Sequence, residues 1–200
     1  MKKKIFILGK GQFGRFVYNL ISEIDDFSFS GFIVKNKITN KNLINETDFF
    51  KNKKKFNIFP AVGDLKVRSE LIKKIIKSKN HIPNIIHPNV ETRHIKIGYG
   101  VTIFQGALLS AESELNNHIT IGFNSVIGHH STINNFCFIG SGVVINGCVK
   151  LAEGVFCGAN SSCFPSIEIG KYSTIAMGSS VMSSVKDGKT MIGVPAKAIF

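Results

Sequence analysis

Fifteen consecutive hexads run through the second half of the chain without an insertion. Over residues 95–184 they read IKIGYG, VTIFQG, ALLSAE, SELNNH, ITIGFN, SVIGHH, STINNF, CFIGSG, VVINGC, VKLAEG, VFCGAN, SSCFPS, IEIGKY, STIAMG and SSVMSS. The third position holds Ile, Leu or Val in thirteen hexads, and Cys157 and Cys163 hold it in the other two. The first position is always Ile, Val, Ala, Ser or Cys. A strict period of six fits neither a helix, with its period near 3.6, nor a lone strand, with its period of 2.

A period of six is typical of a triangular coil in which each hexad forms one short strand and one turn. Three hexads complete a coil of eighteen residues, so the repeat predicts five coils whose parallel strands stack about 4.8 Å apart. We expect the third-position side chains to point into the prism, with Gly and Asn at the corners. Cys157 and Cys163 are therefore predicted to be core residues.

Residues 1–90 show a different pattern. The predicted strands are KIFIL (4–8), FSFSGFIV (27–34), FNIFPAV (56–62) and IPNII (82–86), and the predicted helices are RFVYNLISEI (15–24) and LKVRSELIKKIIKS (65–78). Asp64 can cap the second helix, and a lysine-rich loop is expected over residues 35–55. Strand–helix–strand order predicts a small parallel sheet. We thus expect a half-Rossmann-like α/β domain over residues 1–90, followed by a parallel β-helix of five coils and a tail over residues 91–200.

Composition excludes several classes of protein. Hydrophobic residues make up 44% of the 200 residues and charged residues 19%, which excludes a disordered chain. No apolar run is long enough to span a membrane, and the apolar stretch after MKKK is too short for a signal peptide. The four cysteines form no C-x-x-C pair, so reduced thiols are expected. These features predict a cytoplasmic protein that does not bind a membrane.

The net charge of +12 is concentrated in the first half of the chain. Residues 1–94 carry 19 of the 25 basic and 8 of the 13 acidic side chains. Lysine outnumbers arginine 22 to 3, a bias that an AT-rich genome would produce without selection for a polyanion. The charge therefore does not predict a nucleic-acid partner. A basic domain that handles an anionic small molecule is the alternative.

A G-x-G-x-x-G loop follows the first strand and opens a helix. In this context the backbone N–H groups near Gly9, Gly11 and Gly14 can cradle phosphate. A nicotinamide cofactor also requires an acid at the end of the second strand, where this chain has Val34-Lys35-Asn36. A mononucleotide or the diphosphate of a nucleotide sugar fits better, and a glycine turn that serves packing alone is the other interpretation.

Joined in this order, the two parts resemble the bacterial sugar acetyltransferases of the NeuD type, which belong to the hexapeptide-repeat acyltransferases. The resemblance runs essentially end to end through four motifs: GKGQFG (9–14), AVGD (61–64), Ile86-His87-Pro88 and the ending Gly193-Val194-Pro195-Ala196-Lys197. It implies a left-handed β-helix, a homotrimer with the active site between adjacent coils, acetyl-CoA as donor, and a front domain that holds a nucleotide sugar.

The resemblance also implies roles for individual residues of the β-helix. His129 occupies the position of the family's catalytic base, and His130 would orient it. The Gly147 backbone N–H would meet the thioester carbonyl. Ala159 and Met177 would line the pantetheine groove through backbone atoms, and Lys197 would lie near a CoA phosphate or remain a solvated charge.

Four departures from the family pattern affect the predicted site. His130 replaces an acid, so we expect His129 to be a weaker base, and Phe138 replaces a second histidine near the acyl carbonyl. In the front domain, Phe13 stands where the glycine loop often has a histidine, and Lys35-Asn36 replace acids. We expect Phe13, Lys35, Asn36 and Asp64 to contact the substrate together with the glycine loop.

The predicted reaction is acetyl transfer from acetyl-CoA to the amino group of a nucleotide-linked amino sugar, a precursor of cell-surface glycans. Imidazole is the side chain that ordinarily titrates near neutral pH, so His129 can accept the amine proton during direct attack on the thioester. The alternatives are O-acetylation of a sialic-acid-like sugar and a non-catalytic trimeric scaffold. No metal is expected, because the six histidines lack the H-x-x-x-x-H spacing of the β-helical carbonic anhydrases.

Overall fold

The computed structural model describes residues 2–35, 41–52 and 54–199. The chain divides into two compact units, Met1–Ile85 and Ile86–Phe200, called here the front unit and the coil unit. The predicted boundary at residue 90 falls inside the coil unit, because the His87 N–H donates to the Ile103 carbonyl (3.0 Å) and Val90 is part of the β-helix core.

The front unit contains a four-stranded parallel sheet with the strand order β3-β2-β1-β4. Its elements are β1 (Lys3–Leu8), α1 (Gln12–Ser22), β2 (Phe27–Val34), β3 (Leu43–Asn45), α2 (Glu46–Lys51), β4 (Asn57–Pro60) and α3 (Leu65–Lys77). Two central strands, β1 and β2, end beside each other, and the segment from Gly9 to Gly14, which includes the start of α1, follows β1 directly. The carboxyl edge of this sheet is where open α/β sheets bind ligands.

The segment predicted as a lysine-rich loop contains two regular elements, β3 and α2. Asn45 caps α2, because its side-chain oxygen accepts the backbone N–H of Thr47 at 2.9 Å. Phe49 is buried in the front unit's core, where its ring lies 4.9 Å from that of Phe6 and 5.2 Å from that of Phe56. These aromatic contacts hold α2 against the sheet although most of its neighbours in sequence are polar.

The IPNII segment was predicted to be a strand of the front domain, but it does not join the front sheet. Its strand, β5 (Ile85–Ile86), instead joins an eight-stranded sheet of the β-helix. The residue before the segment, His81, forms an isolated bridge with Asn57 of β4. Two consecutive isoleucines fit a strand of the β-helix as well as they fit a strand of the front sheet. The sequence pattern therefore does not show which sheet the strand joins.

The hexads form the parallel β-helix that their period predicts. Each contributes one strand of two residues at its second and third positions. These strands are β6 (Lys96–Ile97), β7 (Thr102–Ile103), β8 (Leu108–Leu109), β9 (Glu114–Leu115), β10 (Thr120–Ile121), β11 (Val126–Ile127), β12 (Thr132–Ile133), β13 (Phe138–Ile139), β14 (Val144–Ile145), β15 (Lys150–Leu151), β16 (Phe156–Cys157), β17 (Ser162–Cys163), β18 (Glu168–Ile169), β19 (Thr174–Ile175) and β20 (Ser180–Val181). An antiparallel hairpin of β21 (Thr190–Gly193) and β22 (Ala196–Ala198) closes the end.

Residues eighteen apart pair in parallel between successive coils, as Thr120 does with Phe138 and Val126 with Val144. The third-position side chains fill the interior, and Cys157 and Cys163 are buried among them as predicted. First-position residues also point inward, which the sequence analysis did not anticipate. At Ser131 the hydroxyl donates to the Asn146 carbonyl at 2.9 Å. The hydroxyl is thereby buried without loss of a hydrogen bond.

The prism corners use left-handed backbone conformations at residues other than Gly and Asn. Glu112, His130, Cys148 and Ser166, each one coil apart, have φ between +56° and +60°. Such conformations are strained for most side chains. The corner therefore presents the side chains of Glu112 and His130 one above the other, where glycines would present none.

Candidate active site

His129 lies at a corner of the β-helix that we call the His129 corner. Three successive coils contribute two residues each to this corner: Ala111 and Glu112, His129 and His130, and Gly147 and Cys148. Backbone hydrogen bonds hold the coils in register, since His130 N–H donates to the Ala111 carbonyl (3.3 Å) and Cys148 N–H to the His129 carbonyl (2.8 Å). Both imidazoles are exposed. The rigid repeat thus fixes the backbone of a solvent-accessible histidine pair.

The two imidazoles contact each other, and a carboxylate completes the chain. His129 Nδ1 and His130 Nδ1 are 3.0 Å apart, and His130 Nε2 is 3.0 Å from Glu112 Oε2. The sequence analysis missed Glu112. His129 was expected to lack a supporting carboxylate because the residue that follows it is not an acid. The acid, Glu112, instead lies one coil earlier. The signal that could have found it is the eighteen-residue offset between positions 112 and 130.

Gly147 faces the other side of the His129 ring. A Cβ atom built on Gly147 would lie 2.5 Å from His129 Nε2, so the glycine leaves space that the imidazole occupies. Within the described part of the chain, the Gly147 N–H has no hydrogen-bond partner. The structure therefore brings together a ring nitrogen and a backbone donor, the two groups that the sequence analysis assigned to base catalysis and to the thioester carbonyl.

The residues predicted to line the pantetheine groove lie at a different corner of the same prism. Ala159 and Met177 are one coil apart, and the Gly178 N–H donates to the Ala159 carbonyl at 2.9 Å. Met177 is 77% exposed. Lys197 lies on β22 and is exposed. Within one coil unit, the structure does not bring Ala159, Met177 or Lys197 together with His129. Phe138 stacks on Phe156, with their ring centroids 5.4 Å apart.

A cavity in the front unit opens at the carboxyl ends of β1 and β2. Its polar lining comprises Gly9, Lys10, Lys35 and Glu46, and the rest is apolar. The two lysines suit an anionic ligand such as a diphosphate. Glu46 is only 6% exposed and forms an ion pair with Lys74. The sequence analysis missed Glu46 because it placed this residue in a loop.

The glycines of the front loop differ in what the structure requires of them. Gly9 has a φ of +110°, and a Cβ atom there would lie 2.7 Å from the Ala61 carbonyl oxygen. A Cβ atom on Gly14 would clash with the Gly9 carbonyl, whereas one on Gly11 would meet nothing within 4 Å. Packing therefore explains Gly9 and Gly14 but leaves Gly11, which precedes α1, unexplained.

Two other predicted substrate residues have structural contacts of their own. Phe13 lies with its ring centroid 6.0 Å from that of Phe59, and the buried Arg68 guanidinium lies 5.9 Å from both centroids. Burial lowers the pKa of Arg68 to about 10. The Asp64 carboxylate accepts the Val67 N–H at 2.8 Å and caps α3. Asn36, also predicted to contact substrate, lies outside the described residues.

The cysteine thiols divide into buried and exposed groups. Cys137, Cys157 and Cys163 are buried, and burial raises the pKa of Cys137 to about 12. Cys148 is exposed at the His129 corner. Among the residues described, no three His, Cys, Asp or Glu side chains are grouped so as to hold a metal ion, and no helix is long and apolar enough to cross a membrane.

Solved structures identify the class of fold. The chain matches the acetyltransferase domain of PglB from Neisseria gonorrhoeae, solved with acetyl coenzyme A, with a TM-score of 0.91 and 21% identity over 100% of both chains. It matches a perosamine N-acetyltransferase variant from Caulobacter crescentus, solved with CoA and GDP-perosamine, with a TM-score of 0.91 and 20% identity over 100% of this chain and 98% of that one. The predicted fold, an α/β domain followed by a left-handed β-helix, is confirmed.

A domain-family model matches the sequence of the front unit. Residues 4–75 match the PglD N-terminal domain. The front unit is therefore a PglD N-terminal domain, and together with the fold this confirms the resemblance to bacterial sugar acetyltransferases of the NeuD and PglD type.

Curated relatives match a smaller part of the chain. A serine acetyltransferase from Synechococcus elongatus is 30% identical over 109 residues, which are 50% of this chain and 43% of that protein. A serine acetyltransferase from Haemophilus influenzae is 35% identical over 82 residues, which are 37% of this chain and 31% of that protein. The chain thus aligns with less than half the length of either relative.

Proposed function

We propose that this protein transfers acetyl from acetyl-CoA to the amino group of a nucleotide-linked amino sugar, in the cytoplasm. The observation that carries the proposal is the arrangement at the His129 corner, where the exposed His129 imidazole lies against Gly147, whose N–H has no partner among the described residues. The PglD N-terminal domain and the cavity lined by Lys10 and Lys35 support a nucleotide-sugar acceptor.

In the proposed mechanism the sugar amine attacks the thioester carbonyl carbon directly. As the carbon–nitrogen bond forms, the amine loses its proton to His129 Nε2, and the Gly147 N–H stabilises the charge that develops on the carbonyl oxygen. The carbon–sulfur bond then breaks, the coenzyme A sulfur leaves with the electron pair, and the proton neutralises it. No acyl-enzyme forms.

The choice of an amine over a hydroxyl acceptor rests on the neighbours rather than on the strength of the base. A weaker base favours an amine, because attack by a hydroxyl depends more on a strong base, and His129 was expected to be weak because His130 replaces an acid. Glu112 nevertheless supplies a carboxylate through His130. The likeness to a perosamine N-acetyltransferase supports the amine.

The test is release of coenzyme A by the purified protein with a panel of nucleotide-linked amino sugars, followed by mass spectrometry of the sugar product. Acetylation of an amine confirms the proposal. Acetylation of a sialic-acid-like sugar at oxygen favours the first alternative, and failure to release coenzyme A with every acceptor favours the scaffold.

We expect Lys35→Ala to raise the acceptor KM about 3- to 10-fold and to leave the acetyl-CoA KM unchanged. Lys35 lines the front cavity but is itself exposed, so solvent weakens its attraction for an anionic group. Steady-state kinetics with each substrate varied in turn measures the effect. Lys77→Ala removes the same charge from the far end of α3 and serves as the control. A change in the acetyl-CoA KM alone would contradict the assignment of the front cavity to the acceptor.

We also propose that the protein is a homotrimer. One coil unit carries the base at the His129 corner and the predicted pantetheine residues at another corner, so an adjacent chain would have to bring Ala159 and Met177 to His129. Light scattering is expected to give three times the chain mass of 22.0 kDa. A stable monomer at micromolar concentration would contradict the shared site.

A further inference from the structure

We propose that Glu112 is a positioning residue that acts on the base His129 through His130. The expected effect of Glu112 on the rate rests on the proposed function. Its expected effect on which imidazole nitrogens carry protons does not. Its basis is the continuous contact chain at the His129 corner, from His129 Nδ1 to His130 Nδ1 (3.0 Å) and from His130 Nε2 to Glu112 Oε2 (3.0 Å).

The coil geometry places the carboxylate where the neighbouring sequence position cannot. Glu112 and His130 are equivalent residues of successive coils, and their φ angles of +58° and +56° give both backbones the same local conformation. The two side chains therefore leave the corner from stacked positions. The acid that usually follows the family's histidine is thus replaced by an acid eighteen residues earlier and a second imidazole between them.

The carboxylate determines which nitrogen of each neutral ring carries the proton. An ionised carboxylate only accepts hydrogen bonds, so His130 Nε2 must donate to Glu112. A neutral His130 then has its acceptor at Nδ1 and receives the hydrogen bond from His129 Nδ1–H. This leaves the lone pair of His129 at Nε2, the nitrogen that faces Gly147. The amine proton can be accepted at that atom alone, and the resulting imidazolium is stabilised by the negative charge of Glu112.

Other charged groups near His130 already have partners. The cavity beside it is also lined by Arg93, Lys96 and Glu114. Arg93 Nη2 lies 2.7 Å from a Glu91 oxygen, and Lys96 Nζ lies 2.5 Å from Glu114 Oε1. Glu114 is therefore committed to Lys96, and Glu112 is the carboxylate within hydrogen-bond distance of His130.

The rate experiment compares Glu112→Gln with Glu114→Gln, which removes the same charge from the same cavity without touching an imidazole. His130 is 56% exposed by its side chain and Glu112 73%, so solvent moderates the effect. We expect Glu112→Gln to lower kcat about 2- to 5-fold with both KM values unchanged. Glu112→Asp, which keeps the charge, should restore part of the loss, and Glu114→Gln should match the wild type.

Combining variants tests whether Glu112 acts through His130. If it does, Glu112→Gln has no further effect on kcat once His130 has been changed to Ala, because the intermediary is gone. Losses that multiply in the double variant would overturn the proposed route.

The decisive measurement does not require acetyltransferase activity. Nitrogen-15 NMR of the imidazoles at about pH 8, where an ordinary imidazole is neutral, reports which ring nitrogen carries the proton. The His129 signals are identified by their loss in His129→Ala. We expect the proton of His129 on Nδ1 in the wild type and on a mixture of Nδ1 and Nε2 in Glu112→Gln, since an amide can either donate or accept. An unchanged distribution in Glu112→Gln overturns the proposal, whereas failure of the wild type to acetylate any amino sugar overturns only the proposed function.

Discussion

Replacing His129 with alanine is expected to lower kcat about 10²- to 10⁴-fold, the usual cost of losing a general base. His130→Ala should cost far less, about 2- to 13-fold, because the residue acts on the base through one hydrogen bond. Steady-state kcat of the two purified variants measures the difference.

Melting temperature is the control for this comparison. The side chains of His129 and His130 are exposed, and the buried residues around them, Ile121, Ile127 and Ile133, are unchanged in both variants. Neither variant should therefore unfold more easily. If His130→Ala proves the more damaging change, then His130 is the base. If both variants keep nearly full activity, the amine arrives already deprotonated and positioning alone accounts for catalysis.

Gly147→Ala is expected to lower kcat about 10- to 100-fold. The new methyl group would lie 2.5 Å from His129 Nε2, closer than any van der Waals contact allows, so the imidazole must move. A displacement of about 1 Å from the reacting geometry can cost about 10²-fold in rate. The measurement is kcat at saturating acetyl-CoA. Near-ultraviolet circular dichroism or thermal unfolding shows whether the β-helix remains folded.

A double variant separates displacement of the base from loss of the backbone donor. In a His129→Ala background the methyl group no longer meets an imidazole, so Gly147→Ala should cause little further loss if displacement is its main effect. A full additional loss would instead show that the substitution disturbs the donor of the thioester site. Full activity of Gly147→Ala alone would contradict the contact between Gly147 and His129.

The β-helix could be predicted from the sequence because every hexad repeats the same local chemistry. An aliphatic residue or a cysteine stands at the third position of all fifteen hexads, and neither a helix nor a lone strand would bury residues at that spacing, so the hexads together indicate one fold. The front unit offered no such repetition. There β3 is held by pairing with β2, and α2 is held by aromatic contacts such as that between Phe6 and Phe49, which no local pattern reveals.

Glu112, the acid that supports the candidate site, was not predicted from the sequence because of the geometry of the coils. The residue after His129, where the family usually has an acid, is His130. In a triangular coil the nearest side chains are often those at the same corner one coil away, and Glu112 stands in that relation to His130. The residues that surround such a site are better sought at intervals of eighteen than within a short window.

The stacking of coils also determines how the molecule comes apart. Each coil hydrogen-bonds only to the coil before it and the coil after it, so opening can begin at the ends of the prism and advance inward one coil at a time. His129 and Gly147 occupy the second and third of the five coils, with neighbours on both sides. Unzipping from the carboxyl-terminal end would therefore remove the Met177 column before it reaches the imidazole pair. If Met177 lines the coenzyme A site as predicted, partial melting should abolish coenzyme A binding while the His129 corner is still intact.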